Sequence, residues 1–296
     1  MSFIALTMDI AMSLMKQTVD SNGNRDYAKE RERNAKTLNK RVPKSLSLTL
    51  LDNENIQGEM IAPNNPNGTI MYIHGGGYTT GSAKERRDIA IYLAKKYQYR
   101  VVSVNYRLAP EHKWPSQLED CYRAYQYICN NITKDIVLMG ESAGGELVLA
   151  LGLYIKDQKY NKPKAIVSFS PITNQVEHYP SHSQNIKTDK MLRDSSLKGY
   201  YQVLFDEEPS KEQLASPYLS PILGNYKDMP PIFLSASESE TLFDDSKYLF
   251  EKLMNEKHKV GKDFQKKVCH AYQIFPFVRE ARKSIKACIE FLEELD

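Results

Sequence analysis

The sequence contains few cysteines, and none of them are paired at metal-binding or redox spacing. The four cysteines are spread over 296 residues without a Cys-x-x-Cys motif, which excludes a zinc ribbon and a thioredoxin-type site. A chain of this length can bury a sufficient core without disulfides. We therefore expect a reducing, cytoplasmic location.

Long apolar runs are also lacking. The most apolar stretch near the start, residues 1–16, is too short to span a bilayer and is interrupted by an aspartate. No basic residue precedes it and no small-residue cleavage pattern follows, which argues against a signal peptide. Phe3, Leu6, Ile10 and Leu14 follow helical spacing. We expect an amphipathic helix that packs within a cap, with contact to membrane lipid as the alternative and no stable membrane insertion.

An excess of charge of one sign is lacking as well. Forty Lys and Arg residues against 37 Asp and Glu residues give a formal net charge of +3. Nucleic-acid binding requires a clustered basic face, so no nucleic-acid partner is expected. Hydrophobic residues make up 41% and charged residues 26% of the chain, which is typical of a globular protein.

Short apolar runs alternate with helical patterns along most of the chain. Polar and apolar residues alternate at 45–51 and again at 56–61, which predicts a β-hairpin. Five apolar runs follow, separated by segments of helical spacing, at 69–73, 101–104, 136–139, 165–169 and 232–236. Runs that are apolar throughout are typical of strands covered on both faces. The sequence predicts an α/β fold with a mostly parallel central sheet flanked by helices.

Two segments do not fit this alternation. Residues 20–41 are highly charged and favour a surface helix or a mobile arm. No strand-like run occurs between residues 171 and 230, and insertions of that length often cover the ends of strands. We expect an N-terminal cap segment at 1–43, a catalytic domain at 44–296, and a helical cap insertion at about 174–215.

A Gly-Glu-Ser-Ala-Gly-Gly run at residues 140–145 lies between a predicted strand and a predicted helix. A serine hydroxyl is a weak nucleophile unless it is well presented and has a base beside it. A sharp strand-to-helix turn presents Ser142, and glycines two residues to either side avoid collisions with neighbouring elements. An ordinary turn serine is the alternative interpretation of this motif alone.

A second run, His-Gly-Gly-Gly at residues 74–77, also follows a predicted strand. Consecutive glycines cost backbone entropy, which indicates a special conformation or a close ligand. The amides of Gly75, Gly76 and Gly77, with that of Ala143, can point at one oxygen and stabilise charge on it. A nucleotide-phosphate loop is excluded because neither glycine-rich phosphate motif is present.

These motifs together resemble the hormone-sensitive-lipase family of α/β-hydrolases, in which the His-Gly-Gly-Gly run is the oxyanion loop. The resemblance extends from about residue 44 to the C-terminus. Further shared runs are Tyr-Arg-Leu-Ala-Pro-Glu-His at 106–112, Ser-Pro at 170–171, Ser-Pro-Tyr-Leu-Ser-Pro at 216–221 and Pro-Pro at 230–231.

The family's chain order, nucleophile then acid then histidine, implies the remaining candidates. His74 and His112 precede the serine, His178 and His182 fall in the expected cap, and His258 lies in a Lys-rich stretch that we expect to be exposed. His270 is similar to the family's base position.

The register of the family's acid motif implies Glu240, which would hold the base's tautomer and stabilise its charged form. Glu238, Asp244 and Asp245 are the alternatives. The two aspartates lie where a helix starts, so capping is the simpler interpretation for them.

Five residues depart from the family pattern. Glu141 and Asn174 stand where Asp is usual, and Glu146 stands where Asn is usual. Glu146 is expected to add charge in the first turn of the helix after the serine, which suits the helix dipole. Lys266 and Lys267 replace more apolar residues before His270, so the register of the last strand is open.

The resemblance implies hydrolysis of small, short-acyl or aryl esters through an acyl-enzyme, with no metal and no organic cofactor. An amidase or arylformamidase that uses the same residues is the alternative enzyme. A non-catalytic small-molecule receptor on this fold is a third interpretation, against which the presence of His270 argues. Family members often form homodimers, and the sequence leaves the oligomeric state open.

Overall fold

The computed structural model describes residues 18, 25–38, 40–189, 191–192 and 202–295. The amphipathic helix expected at 1–16 lies outside these residues. The strands are β1 (Ser47–Asp52), β2 (Gln57–Ala62), β3 (Gly68–Ile73), β4 (Tyr99–Val104), β5 (Ile136–Glu141), β6 (Ala165–Phe169), β7 (Ile232–Ser237) and β8 (Val260–Gln265). The helices are α1 (Tyr27–Thr37), α2 (Arg87–Tyr97), α3 (Ser116–Asn131), α4 (Ala143–Asp157), α5 (Pro180–Gln184), α6 (Lys211–Leu214), α7 (Phe243–Asn255) and α8 (Arg279–Glu293).

One eight-stranded sheet runs in the order β1-β2-β4-β3-β5-β6-β7-β8. The β1–β2 hairpin and the β2–β4 pair are antiparallel, and the other pairs are parallel. The side chain of Asn53 accepts hydrogen bonds from the amides of Asn55 and Ile56, which closes the hairpin turn. The predicted mostly parallel sheet with an antiparallel hairpin at one edge is confirmed.

Helices cover both faces of the sheet, and strand residues alternate between two cores. Met71 and Leu138 pack with α3, α4 and α7 on one face, whereas Ile70 and Val137 pack with α2 and α8 on the other. This alternation follows from the two-residue period of a strand. It explains why the central strands are apolar at almost every position.

The carboxyl ends of the parallel strands bring the motifs to one edge of the sheet. β3 leads into the glycine run at 74–77, β5 leads into Ser142, and the loops after β7 and β8 carry Glu240 and His270. The last strand ends at Gln265, so Lys266 and Lys267 follow the strand instead of lying within it.

The described parts of the expected caps pack beside this edge. In α1, Arg31 donates hydrogen bonds to the carbonyls of Thr79 (2.7 Å) and Ala109 (2.6 Å). In the expected insertion, the carbonyl of Leu204 accepts a bond from the Trp114 amide at 2.9 Å. Among the described residues, none of the helices combines the length and apolarity that a membrane crossing requires.

Candidate active site

The turn between β5 and α4 presents Ser142 in a strained backbone conformation. Its φ of 57° and ψ of −123° are rare for a residue with a side chain. A side chain at Gly144 would overlap the Ile73 carbonyl, and one at Gly140 would overlap the backbone of Gly144. The glycine spacing of the motif therefore follows from the tight packing of this turn against β3.

The structure brings the three side chains of the expected triad together from distant parts of the chain. The Nε2 atom of His270 lies 2.9 Å from Oγ of Ser142. The Nδ1 atom of the same ring lies 3.2 Å from Oε2 of Glu240. His270 and Glu240 are buried, and Ser142 is partly exposed. The imidazole thus lies between a hydroxyl that solvent reaches and a carboxyl that it does not.

Burial and mutual attraction act in opposite directions on the ionisable pair. Burial raises the pKa of Glu240, and the neighbouring His270 partly opposes that shift. Burial alone would lower the pKa of His270, but the charge and hydrogen bond of Glu240, together with the charges of Asp189 and Glu141, outweigh it, so this pKa is raised above its ordinary value. The glutamate therefore favours a protonated imidazole.

The glycine loop after β3 lies directly against the serine turn. A side chain at Gly75 would come within 2.5 Å of the Glu141 carbonyl and 2.9 Å of Cβ of Ser142. The Gly75 amide donates to Oε1 of Glu141 at 2.6 Å, so it is not free to stabilise an oxyanion. The amides of Gly76, Gly77 and Ala143 donate to no acceptor among the described residues. These three remain the candidate donors, and the expectation for Gly75 is corrected.

Glu141 departs from the family pattern in the sequence, and in the structure its carboxylate accepts three hydrogen bonds. Besides the Gly75 amide, Oε1 accepts from Nε of Arg86 at 2.6 Å, and Oε2 accepts from the Tyr72 hydroxyl at 2.6 Å. Both Arg86 and Tyr72 were missed. Arg86 lies 55 residues away in a 3₁₀ turn directly before α2, and the sequence carries no signal for this pairing.

Burial disfavours the charge that Glu146 is expected to add at the start of α4. Its carboxyl group is fully buried, and burial raises its pKa well above the ordinary value. The Gln175 amide, which donates to Oε2 at 3.2 Å, and the nearby Tyr78 hydroxyl oppose this shift, and the charge of Asp245 adds to it. No cation is among the described groups that shift this pKa, so burial favours the neutral, protonated acid.

Two other buried histidines have structural partners. The ring of His74 stacks on Tyr106 at 4.4 Å, and burial lowers its pKa to about 3. His182 contacts Oδ2 of Asp245 at 2.6 Å through Nε2. Neither ring shares a hydrogen bond with Ser142.

The remaining histidines also lie outside the serine site. His112 and His178 are exposed. His258 is half-buried, with Nε2 at 2.9 Å from the Pro230 carbonyl, so the expected exposure is wrong.

The alternative acids hold other segments. Asp244 accepts from the Ser181 amide at the start of α5 (2.8 Å), and Asp245 accepts from the Thr173 amide after β6 (2.7 Å). They do not cap their own helix as expected, because its N-cap residue is Leu242. Glu238 pairs with Lys266 at the surface at 3.7 Å.

No group of three or more His, Cys, Asp or Glu side chains within the described residues is arranged to hold a metal ion. The arrangement at the sheet edge is instead suited to acyl transfer: a presented hydroxyl, a base within hydrogen-bonding distance, and free amides close by.

Known proteins share this architecture. A family model described as alpha/beta hydrolase fold matches residues 70–274, which is more than half of the chain. An esterase from Acinetobacter venetianus is 31% identical over 231 residues, covering 77% of this chain and 75% of that protein. A versiconal hemiacetal acetate esterase from Aspergillus parasiticus is 30% identical over 214 residues, covering 70% of this chain and 67% of that protein.

Solved structures agree over nearly the full length. A structure described as a hormone-sensitive lipase from a metagenome library has a TM-score of 0.85 at 23% identity, and covers 99% of this chain and 98% of that chain. The predicted fold is confirmed by this likeness. Together with the family match and the sequence relatives, it shows that the chain belongs to the α/β-hydrolase family.

Proposed function

We propose that the protein is a serine carboxylesterase that hydrolyses small, short-acyl or aryl esters through a Ser142–His270–Glu240 triad. The observation that carries the proposal is the continuous chain of hydrogen bonds from Oγ of Ser142 through His270 to Glu240, at 2.9 and 3.2 Å. These distances lie within the range required for proton transfer from a nucleophile to its base.

In the first half of the reaction, Oγ of Ser142 attacks the ester carbonyl while Nε2 of His270 takes the hydroxyl proton. The carbonyl oxygen becomes an oxyanion, and the amides of Gly76, Gly77 and Ala143 donate hydrogen bonds to it. Loss of one such donor typically costs about 3–4 kcal/mol of barrier lowering. His270 then protonates the leaving alcohol oxygen, and the acyl-enzyme remains.

In the second half, water replaces the alcohol. His270 takes a proton from water, and the oxygen attacks the acyl carbonyl. The second tetrahedral intermediate expels Oγ of Ser142, which receives the proton back. Throughout the cycle Glu240 accepts from the Nδ1–H of His270, which fixes the tautomer and stabilises the imidazolium.

The relatives support a small acyl group. One of them is named for an acetate ester, and another, from Streptomyces hygroscopicus and 25% identical over 238 residues, is named an acetyl-hydrolase. We also propose a reducing, cytoplasmic setting, because all four cysteines carry free thiols.

The test is hydrolysis of p-nitrophenyl acetate and p-nitrophenyl butyrate by wild type, Ser142→Ala, and Ser183→Ala as the control. Ser183 is exposed and distant in sequence from the triad. We expect Ser142→Ala to lose at least about 10⁴-fold in kcat and Ser183→Ala to match wild type. Unchanged turnover by folded Ser142→Ala would refute the proposal.

A fluorophosphonate probe and a matched amide substrate separate the alternatives. The proposed enzyme is labelled at Ser142 and cleaves the ester faster than an amide with the same acyl group. A receptor is not labelled, and an amidase cleaves the amide at least as fast as the ester.

A further inference from the structure

Ser170 occupies a strained position immediately after β6. Its φ of 48° lies in the left-handed region, where a residue with a side chain is uncommon, and the residue is fully buried. Glycine would adopt this backbone conformation at lower cost. A serine held in it indicates that the side chain has a role.

The hydroxyl of Ser170 makes two hydrogen bonds, and each reaches a different part of the triad. Oγ donates to Oε2 of Glu240 at 3.0 Å. The same oxygen accepts from the amide of Ala271, the residue after His270, at 3.1 Å. One side chain therefore contacts both the acid and the backbone that carries the base.

Glu240 depends on this hydroxyl because its other oxygen has no partner. Oε1 is buried and makes no hydrogen bond with the described residues. Oε2 receives two contacts, from Nδ1 of His270 and from Ser170. A buried carboxylate with so few donors is sensitive to the loss of either one.

The backbone at the end of β6 completes the connection. The amide of Ser142 donates to the Phe169 carbonyl at 2.8 Å, and the amide of Ser170 donates to the Ser235 carbonyl of β7 at 2.7 Å. The two residues Phe169 and Ser170 thus contact the nucleophile, the acid and the segment of the base.

We propose that Ser170 is a positioning residue, which fixes the Glu240 carboxylate and the His270 loop relative to Ser142. It touches no reacting atom and acts through Glu240 and the Ala271 amide. The inference rests on the proposed function and adds a fourth side chain to the machinery of the site.

Loss of the hydroxyl has a defined effect on pH dependence. Without the Ser170 hydroxyl, the negative charge on Glu240 loses one hydrogen-bond donor. A proton on His270 then stabilises that charge more strongly than a neutral ring does. The pair therefore takes up a proton more readily, and Asp189 and Glu141, which also face His270, act in the same direction. The acid limb of the kcat/KM profile moves to higher pH.

The test compares Ser170→Ala and Ser170→Gly with wild type, and uses Ser168→Ala as the matched control. Ser168 is a buried serine within β6, two residues before Ser170, and its hydroxyl donates to the Gly145 carbonyl at 2.8 Å. We expect both Ser170 variants to lose about 10- to 100-fold in kcat/KM with the acid limb at higher pH. Ser168→Ala should retain the wild-type limb.

The glycine variant separates the hydroxyl from the backbone strain, because glycine relieves the strain and keeps the fold. Combination with Glu240→Gln then tests the route of the effect. If Ser170 acts through the carboxylate, Ser170→Gly costs much less in the Glu240→Gln background than in wild type.

Two outcomes would overturn the role of Ser170: wild-type kcat/KM and acid limb in the Ser170→Gly variant, or fully additive effects in the double variant. A wild-type protein without Ser142-dependent turnover would refute the proposed function and this role with it. An active wild type whose Ser170 variants are unaffected refutes the role alone.

Discussion

Two buried glutamates flank the candidate nucleophile and have opposite electrostatic surroundings. Glu141 precedes Ser142 and is 1% exposed, and Glu146 follows one helical turn later and is 0% exposed. Glu141 forms an ion pair with Arg86 and accepts from two further donors. Glu146 has no cation among the groups that shift its pKa, and its pKa is raised well above the ordinary value.

The comparison shows that two carboxyl groups buried to the same depth differ in their partners: Glu141 has a cation beside it, and no cation is among the groups that shift the pKa of Glu146. An ion removed from water is stabilised only by an opposite charge and well-aligned donors. Glu141 has both and ties the Gly75 loop to the serine turn as a carboxylate. Glu146 has no such cation among the groups that shift its pKa, so its burial favours the neutral acid.

Substitution of Glu141 has the largest expected effect on stability and activity. Glu141→Gln leaves the guanidinium of Arg86 with Glu85, at 4.0 Å, as its remaining acidic partner, and we expect loss of the shorter ion pair to destabilise the fold by about 3 kcal/mol. The Gly75 amide also loses its charged acceptor, so the oxyanion loop shifts and kcat falls more than KM rises. Denaturant unfolding and ester kinetics measure the two effects.

Companion variants separate the ion pair from the weaker contacts of Glu141. Tyr72→Phe removes one donor and keeps the ion pair, so its expected cost is about 1.5–3 kcal/mol. Arg86→Met gives Glu141 surroundings like those of Glu146, and we expect activity to be retained better at low pH than at high pH. A Glu141→Gln protein as stable as wild type would remove the distinction between the two glutamates.

Substitution of Glu146 by glutamine is expected to stabilise the protein. Since the folded pKa of Glu146 is raised, the folded chain holds a proton that the unfolded chain releases above about pH 4.5. The free energy of unfolding therefore falls as the pH rises from the pKa of Glu146 in the unfolded chain to its pKa in the folded chain. Glu146→Gln does not titrate, so its gain in unfolding free energy over wild type grows as the pH rises above 4.5, the ordinary pKa of a glutamate.

Thermal unfolding at several pH values, with esterase activity measured in parallel, checks the prediction. The amide retains the shape of the protonated acid, so kcat/KM near neutral pH should stay within about threefold of wild type. A gap in Tm that does not change with pH, or that favours wild type at high pH, would contradict the neutral state of Glu146.

The fold could be predicted because buried strands produce apolar runs that are visible in the sequence. The pairing of Glu141 with Arg86 could not, because it produces no local sequence pattern. Strands such as β5 are apolar at successive positions, since both faces are covered, and the serine turn needs glycines at fixed spacing. By contrast, Glu141 and Glu146 are the same residue type in one short run. Their states depend on Arg86, which only the folded chain brings beside one of them.

The candidate acid of the triad is a second case in which the residues alone do not decide the assignment. Four carboxylates, Glu238, Glu240, Asp244 and Asp245, lie within eight residues, and composition or spacing could not choose among them. The family register pointed to Glu240. The structure adds what distinguishes the others physically: the two aspartates hold the segments around Thr173 and Ser181, and Glu238 faces the surface.

The smallest expected effect belongs to Glu238, which extends the comparison to a glutamate that solvent reaches. Its carboxylate pairs with the exposed Lys266 at 3.7 Å, and surface pairs of this kind contribute at most about 1 kcal/mol because water and salt screen them. We expect Glu238→Gln to change the unfolding free energy by less than about 0.5 kcal/mol and to leave kcat/KM unchanged, whereas Glu240→Gln loses most activity. Urea titration and kinetics on this pair of variants, two residues apart, give the readout. A large loss of kcat/KM in Glu238→Gln with little change in Glu240→Gln would assign the triad acid to Glu238. Equal losses in both variants would mean that burial does not distinguish the roles of these two carboxylates.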